Sequence, residues 1–224
     1  MNESHREGGE RLRSLIERRP RDPSLFRAAL LGVPPVARDA CVDWAFGLDA
    51  LPDDGPALPA GCVPYLPCSV DALLRLVEHA PVRASDLFVD VGSGVGRAAA
   101  LVNLLTGAAA VGIEVQPALV AAARELATRL ELSGVSFLEG DAARLTTALT
   151  AGSVFFLYCP FSGDRLVKLL GSLASIARAR AIRVCCVDLP LPPCPWLTLA
   201  PPAAPDLAIY RSTLPEDGSS VPAP

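Results

Sequence analysis

The stretch FVDVGSGVGR, residues 88–97, decides how this chain is read. An apolar run closes on an acid, Asp90, and three glycines follow at alternate positions, Gly92, Gly94 and Gly96. Glycine gives up side-chain packing in return for backbone angles that other residues avoid and for close approach of the main chain to another group. Between a strand-like and a helix-like segment, such a turn is a common ligand edge in doubly wound sheets. A dinucleotide loop has the spacing GxGxxG and sets backbone amides against a pyrophosphate. Counted from Gly92 and Gly94, its third glycine would fall at position 97, which is Arg97. The spacing therefore disfavours an NAD-type oxidoreductase.

Downstream, strand-like and helix-like segments alternate. DLFVDV (86–91) is a short apolar strand, followed by a helix from about Val95 to Leu105. AAVGIEV (109–115), VSFLEGD (135–141), SVFFLYCP (153–160) and AIRVCCVDL (181–189) continue the series. Pro117 sits where a first helical turn tolerates it, and Ser133–Gly134 is the expected stop of that helix. A short helical stretch is expected after the third strand. Leu166, Leu169, Leu170, Leu173 and Ile176 mark a further amphipathic helix. Such units imply parallel strands with right-handed crossovers. LPLPPCP (189–195) is too rich in proline for a helix, and WLTLA and DLAIYRS read as two strands forming an antiparallel edge. The predicted fold is α/β, a doubly wound, mostly parallel seven-stranded sheet with an antiparallel C-terminal edge and an N-terminal helical extension.

Residues 1–63 read as short helices broken by proline, with SHRE (4–7) at capping-box spacing. Ser69 is a candidate N-cap for the helix carrying Val70, Leu73, Leu74 and Val77, which Pro81 closes. The boundaries expected are a helical extension or cap over 1–63, the main domain over 64–214 and a disordered tail over 215–224.

With 51% hydrophobic residues and net charge −4, the chain has the balance of a soluble globular protein, and its cysteines suit a reducing cytoplasm. Mild acidity argues against a nucleic-acid backbone as main partner. The start is too charged for a secretory signal, and the longest apolar segment (98–113) is too short to span a membrane. Seven cysteines without CxxC spacing suit buried free thiols. The only histidines, His5 and His79, belong to no cluster with metal-ligand spacing, so no metal site is expected.

VDVGSGVG resembles the first motif of class I S-adenosylmethionine-dependent methyltransferases, an acid followed by GxGxG. Two further acids support it: Glu114 closes the second strand, and Asp141 follows the third. All three stand at the carboxyl ends of successive strands, the edge where open α/β sheets bind ligands. The resemblance, over roughly residues 64–212, implies S-adenosyl-L-methionine as cofactor. It places Gly92, Ser93 and Gly94 against the methionine part and ribose, with Gly96 letting the helix start close to the sheet. Asp90 would anchor the loop and the ammonium group, Glu114 would accept the ribose hydroxyls, and Asp141 with the Ala142 amide would meet the adenine. Asp141 could equally cap the next helix. Glu114→Ala should weaken the ligand while leaving the fold intact.

YLPCSVDALLRLVE (65–78) before the first strand is similar to bacterial relatives of the non-SET histone-lysine methyltransferases, which implies that Tyr65 closes over the methionine tail; packing beneath the proline-rich loop is the other reading. The histone enzymes' substrate motif is absent. At the fourth strand's end, YCPF (158–161) keeps only the Pro-aromatic half of the Asn/Asp-Pro-Pro-aromatic motif of amine methyltransferases. Phe161 is then either a substrate wall or a core residue. Tyr158 is a cofactor contact and, with Asp164, a candidate proton acceptor, although Asp164 also suits an N-cap. The expected activity is methyl transfer to a protein side chain or small molecule; the alternative is a cofactor-binding partner or regulatory module without transfer. The helices around Trp44 either cap the pocket or pack.

Overall fold

The computed structural model of the chain describes residues 3–48, 50–55, 58–144, 150–201 and 206–213, with side chains from residue 6 onward. Strands β1 (Leu87–Val91), β2 (Ala109–Glu114), β3 (Val135–Glu139), β4 (Val154–Tyr158), β5 (Arg183–Val187), β6 (Leu197–Leu199) and β7 (Leu207–Ser212) form one sheet. Its order is β3-β2-β1-β4-β5-β7-β6. Strands β1 to β5 are parallel, and β7 runs antiparallel to both β5 and β6. The predicted seven-stranded sheet and its antiparallel edge are both present. The central strands β1, β4 and β5 are buried along nearly their whole length, as expected where helices cover both faces.

One face carries Phe88, Val154 and Phe156 against α4 (Val70–His79), α5 (Arg97–Thr106) and α6 (Pro117–Arg129). Phe88 and Phe156 stack there with centroids 5.8 Å apart. The other face carries Val89, Phe155 and Leu157 against Leu166, Leu169, Leu170 and Leu173 of α7 (Gly163–Ala177). The helical stretch expected after β3 falls partly on residues 145–149, and the tail 215–224 also lies outside the described residues.

Upstream, α1 (Glu3–Glu17), α2 (Pro23–Leu31) and α3 (Pro35–Phe46) share the core of the first face with α4–α6. The prolines here open helices as well as separating them. Pro23 and Pro35 stand in first turns, where a missing N–H costs nothing, and the Asp22 carboxylate caps α2 by accepting from the N–H groups of Ser24 and Leu25. Ser69 caps α4 by accepting from Ala72 N–H at 3.2 Å, as read from the sequence. Two local readings are corrected. Helix α1 starts at Glu3, so Ser4 lies inside it instead of capping it. Helix α6 stops at Arg129, before Ser133–Gly134, because Glu131 takes the left-handed conformation (φ 51°).

Arg97 ties the N-terminal helices to the glycine turn. It is 3% exposed, donating to Asp43 Oδ1 at 2.6 Å, Asp39 Oδ1 at 2.8 Å and the Cys68 carbonyl at 2.5 Å. The residue that disfavoured a dinucleotide loop is therefore a buried clamp between α3 and the start of α5.

Candidate functional site

The turn after β1 holds three left-handed glycines, with φ of 76° at Gly92, 51° at Gly94 and 81° at Gly96. Its amides point inward. Gly92 and Ser93 both donate to the Ile113 carbonyl, at 2.8 and 3.0 Å, and Gly94 donates to Glu114 Oε2 at 2.9 Å. Those N–H groups fasten the turn to the end of β2, so they form no cradle for a pyrophosphate.

Each glycine meets a different neighbour. A Cβ on Gly96 would lie 2.3 Å from the Phe137 ring of β3, which fits its role in helix-to-sheet packing. A Cβ on Gly92 would lie 2.7 Å from Pro160, and one on Gly94 would lie 2.0 Å from the Tyr65 ring. Side chains of this chain thus press on Gly92 and Gly94, where the sequence suggested a ligand alone.

Beside the turn lies a cavity of about 250 Å³. Gly92, Glu114, Gln116, Asp141 and Ala142 line one side, and Tyr158, Cys159, Pro160, Phe161 and Asp188 line the other. It sits between the ends of β1 and β4, where the strand order reverses, the switch point at which open α/β sheets place ligands. The segment before α4 supplies Leu58, Cys62, Val63, Pro64, Tyr65 and Leu66. No residue of α1–α3 lines the cavity; those helices pack behind α4–α6, and Trp44 carries the Arg13 guanidinium over its ring.

The wall from the segment before α4 is fixed by polar ties. Cys62 makes an antiparallel bridge to Phe161, and Ser162 N–H donates to the Gly61 carbonyl at 3.0 Å. Asp54 Oδ1 accepts from Tyr65 N–H at 3.0 Å and from Gln116 Nε2 at 2.7 Å, while Gly55 N–H donates to Gln116 Oε1 at 2.6 Å. Arg165 of α7 donates to the Ala60 carbonyl at 2.9 Å and to Asp141 Oδ2 at 2.6 Å. Sequence reading missed Gln116, Arg165 and Asp54, whose side-chain partners lie 11 to 105 positions away in the chain. Gln116, two residues after Glu114 in the same turn, was the one with a local cue.

The three sequence-predicted acids differ in what they hold. Glu114 is buried, and its Oε1 already accepts from the N–H groups of Val115 (2.7 Å) and Gln116 (2.9 Å). With Gly94 on Oε2, about one of its roughly four acceptor positions stays open. Glu114 can therefore take one ligand hydroxyl, not the two expected. Its replacement by alanine also strands three N–H groups, so that variant loosens the turn and does not leave the fold untouched. Asp141 is divided between Arg165 and Ala143 N–H, the latter at 3.1 Å.

Asp90 is 3% exposed, does not line the cavity, and keeps an unpartnered Oδ2. Burial pushes its carboxyl up to about 7, against the Ala99 backbone N–H, with Glu114 adding to the rise. An aspartate in the unfolded chain titrates near ~3.9. The stability that folded-state proton uptake confers is thus complete below that value and lost as pH rises to about 7. Asp90→Asn is expected to flatten this fall in thermal unfolding profiles taken across the window; an undiminished slope would assign it to another group.

On the far side, Tyr158 ends β4 in the cavity wall. Burial raises its phenol pKa, with Cys68, Asp188 and Cys159 adding, so near neutral pH it is a hydrogen-bond donor and a poor proton acceptor. Asp164 is exposed in the first turn of α7 and outside the cavity lining, and the N-cap there is Ser162. His79 is exposed in the last turn of α4. Ser93 is buried with its Oγ over Gly112, also outside the lining. Phe161, read as either a substrate wall or a core residue, is 5% exposed, packs with the α7 face and also lines the cavity. Cys41, Cys68, Cys185 and Cys186 are buried and Cys62, Cys159 and Cys194 partly buried, none of them in a disulfide.

A family model described as a methyltransferase domain matches residues 84–156, which span β1 through most of β4. Over that span, about a third of its length, the chain is similar to a methyltransferase domain. Among solved structures, it resembles an RNA methyltransferase from Salinibacter ruber in complex with S-adenosyl-L-homocysteine. The two are 27% identical, with 68% of this chain and 95% of that one covered and a TM-score of 0.56. A putative methyltransferase from Escherichia coli is 20% identical, with 70% and 90% covered and a TM-score of 0.52, which shows the methyltransferase fold. A putative caffeoyl-CoA O-methyltransferase from Staphylococcus aureus, 11% identical over 66% and 86% with a TM-score of 0.52, likewise shows the fold. No curated protein matches. Among the described residues, no helix is long and apolar enough to cross a membrane.

Proposed function

We propose that the cavity binds S-adenosyl-L-methionine and that the chain transfers its methyl group to a nucleophile presented from the β4–β5 side. The observation that carries this reading is the position of the cavity, at the β1–β4 switch point beside a glycine turn whose amides are spent on β2. The residues fit a ligand without phosphate: Glu114 and Asp141 each retain acceptor capacity for an adenosyl group, and Asp90 keeps an orphaned buried oxygen behind the glycine turn, which an ammonium group would reach only if the turn opened.

The bound cofactor supplies a methyl made electrophilic by its sulfonium, so the protein's task is to hold the nucleophile in line. Tyr65 and Gly92 shape the methionine side, with Gly94 seating the Tyr65 ring, Asp90 and Ser93 behind them and Gly96 setting α5 close to the sheet. Glu114, Asp141 and Ala142 serve the adenosine side, and Tyr158 stands between cofactor and acceptor. No general base is assigned.

A protein side chain or small molecule remains the acceptor favoured by the acidic balance. An RNA acceptor is the second reading, because the 27% identical neighbour is an RNA methyltransferase. Charge alone does not exclude it. The finer likeness to non-SET histone-lysine enzymes rests on sequence segments only. A cytoplasmic location accords with seven free cysteines. Labelled S-adenosylmethionine with cell extract, fractionated into protein, RNA and small molecules, separates these acceptors. Cofactor binding with no label in any fraction would favour a regulatory module.

A further inference from the structure

The cavity is lined by three carboxylates, and their situations differ. Glu114 accepts three backbone N–H groups, and Asp141 is paired with Arg165. Asp188, at the exit of β5, lines the cavity with a carboxylate that receives no hydrogen bond or ion pair from the described residues. Its main chain is nevertheless fixed: Asp188 N–H donates to the Asp206 carbonyl at 2.9 Å, and its own carbonyl accepts from Cys159 Sγ at 2.9 Å. It adopts the left-handed conformation at φ 51°, and Cys159 does so at φ 43°, so two neighbouring strand ends both turn sharply at the wall opposite the adenosine side.

The rest of that wall is Tyr158, Pro160 and Phe161, and among the described residues no Arg, Lys or His lines the cavity. Burial and Asp188 both raise the Cys159 thiol pKa, and Tyr158 is raised as well, so neither competes for negative charge near neutral pH. The acceptor end therefore carries a solvent-exposed carboxylate, unpaired among the described residues and set on a fixed main chain beside Tyr158 and Phe161. That combination favours a cation and disfavours phosphate or carboxylate next to the reacting atom.

We propose that Asp188 is the acceptor-binding carboxylate of this cavity and that the methyl acceptor is an amine. The inference rests on the S-adenosylmethionine reading of the cavity. The ammonium form docks on Asp188 and releases one proton to water at the open mouth. The amine lone pair then forms the N–C bond as the methyl–sulfur bond breaks and sulfur keeps that electron pair. The methylated product is again an ammonium, held by the same carboxylate until it leaves.

The test uses two cofactor analogues on the full chain: S-adenosylhomocysteine, and sinefungin, in which a CH–NH2 unit replaces the S–CH3 unit and so places an amine where the methyl points. Calorimetry on the wild type is expected to show sinefungin binding roughly tenfold tighter than S-adenosylhomocysteine, the scale of one hydrogen bond to a charged group. Asp188→Asn, which tolerates the same left-handed backbone, is expected to bring the two affinities within about twofold of each other. A preference that survives in Asp188→Asn, or no preference in the wild type, would overturn the role of Asp188. Failure of S-adenosylhomocysteine to bind either protein would overturn the cofactor reading and this inference with it.

Discussion

Gly94→Val is expected to abolish cofactor binding, with an affinity loss of at least about 100-fold for S-adenosylhomocysteine, equivalent to about 2.7 kcal/mol. Two causes add. Gly94 sits at φ 51°, a region that costs a residue with a Cβ about 1–2 kcal/mol and is worst for β-branched side chains. The new Cβ would also stand 2.0 Å from the Tyr65 ring, whose backbone is held to Asp54. Either the ring or the turn must move, and turn movement breaks the Gly94 hydrogen bond to Glu114. Adding Tyr65→Ala removes the ring and should restore part of the stability but not the affinity. Calorimetry beside thermal unfolding reads both quantities; unchanged affinity in a folded Gly94→Val protein would take the turn out of the site.

The second large effect is on stability. Arg97→Leu removes a buried guanidinium that joins Asp39, Asp43 and the Cys68 carbonyl. Removing one partner of a fully buried pair costs about 3–5 kcal/mol. Here the two aspartate side chains are 50% and 38% exposed, and water can take over part of the lost pairing. A loss of about 2–4 kcal/mol follows, or a fall in melting temperature of roughly 5–15 °C for a chain of this size. Arg97→Lys should recover only a minor share, because a point charge cannot reach three acceptors as the planar fork does. A melting temperature within two or so degrees of wild type would show that the N-terminal helices are held by apolar packing alone.

The sheet was legible because its strands are short apolar runs separated by helical periodicity, and proline in residues 189–195 marked where that alternation stops. Ser69 and Pro117 acted as local signals and did so in the structure. The stop of α6 was misplaced because Glu131, not a glycine, adopts the left-handed angle.

The cavity wall was legible where backbone chemistry dictates residue type, at Gly92 and Glu114, while Gly94 and Gly96 abut the Tyr65 and Phe137 rings. It was not legible where function depends on contacts between distant segments. Nothing near Arg165 in the chain announces its pairing with Asp141, and nothing near Asp54 announces Gln116. Asp188 reads as the end of an apolar strand, and only the folded cavity shows that its carboxylate is unpaired. Tyr65 was found through family resemblance, but its contact with Gly94 comes from the fold.

The central claim, that this cavity holds an adenosyl amino acid, is most directly tested by titrating S-adenosylhomocysteine into the folded chain in a calorimeter. The expected result is a saturable heat with one ligand per chain, greatly weakened by Gly94→Val. The contradicting result is no heat from S-adenosylhomocysteine or S-adenosylmethionine with protein that unfolds cooperatively.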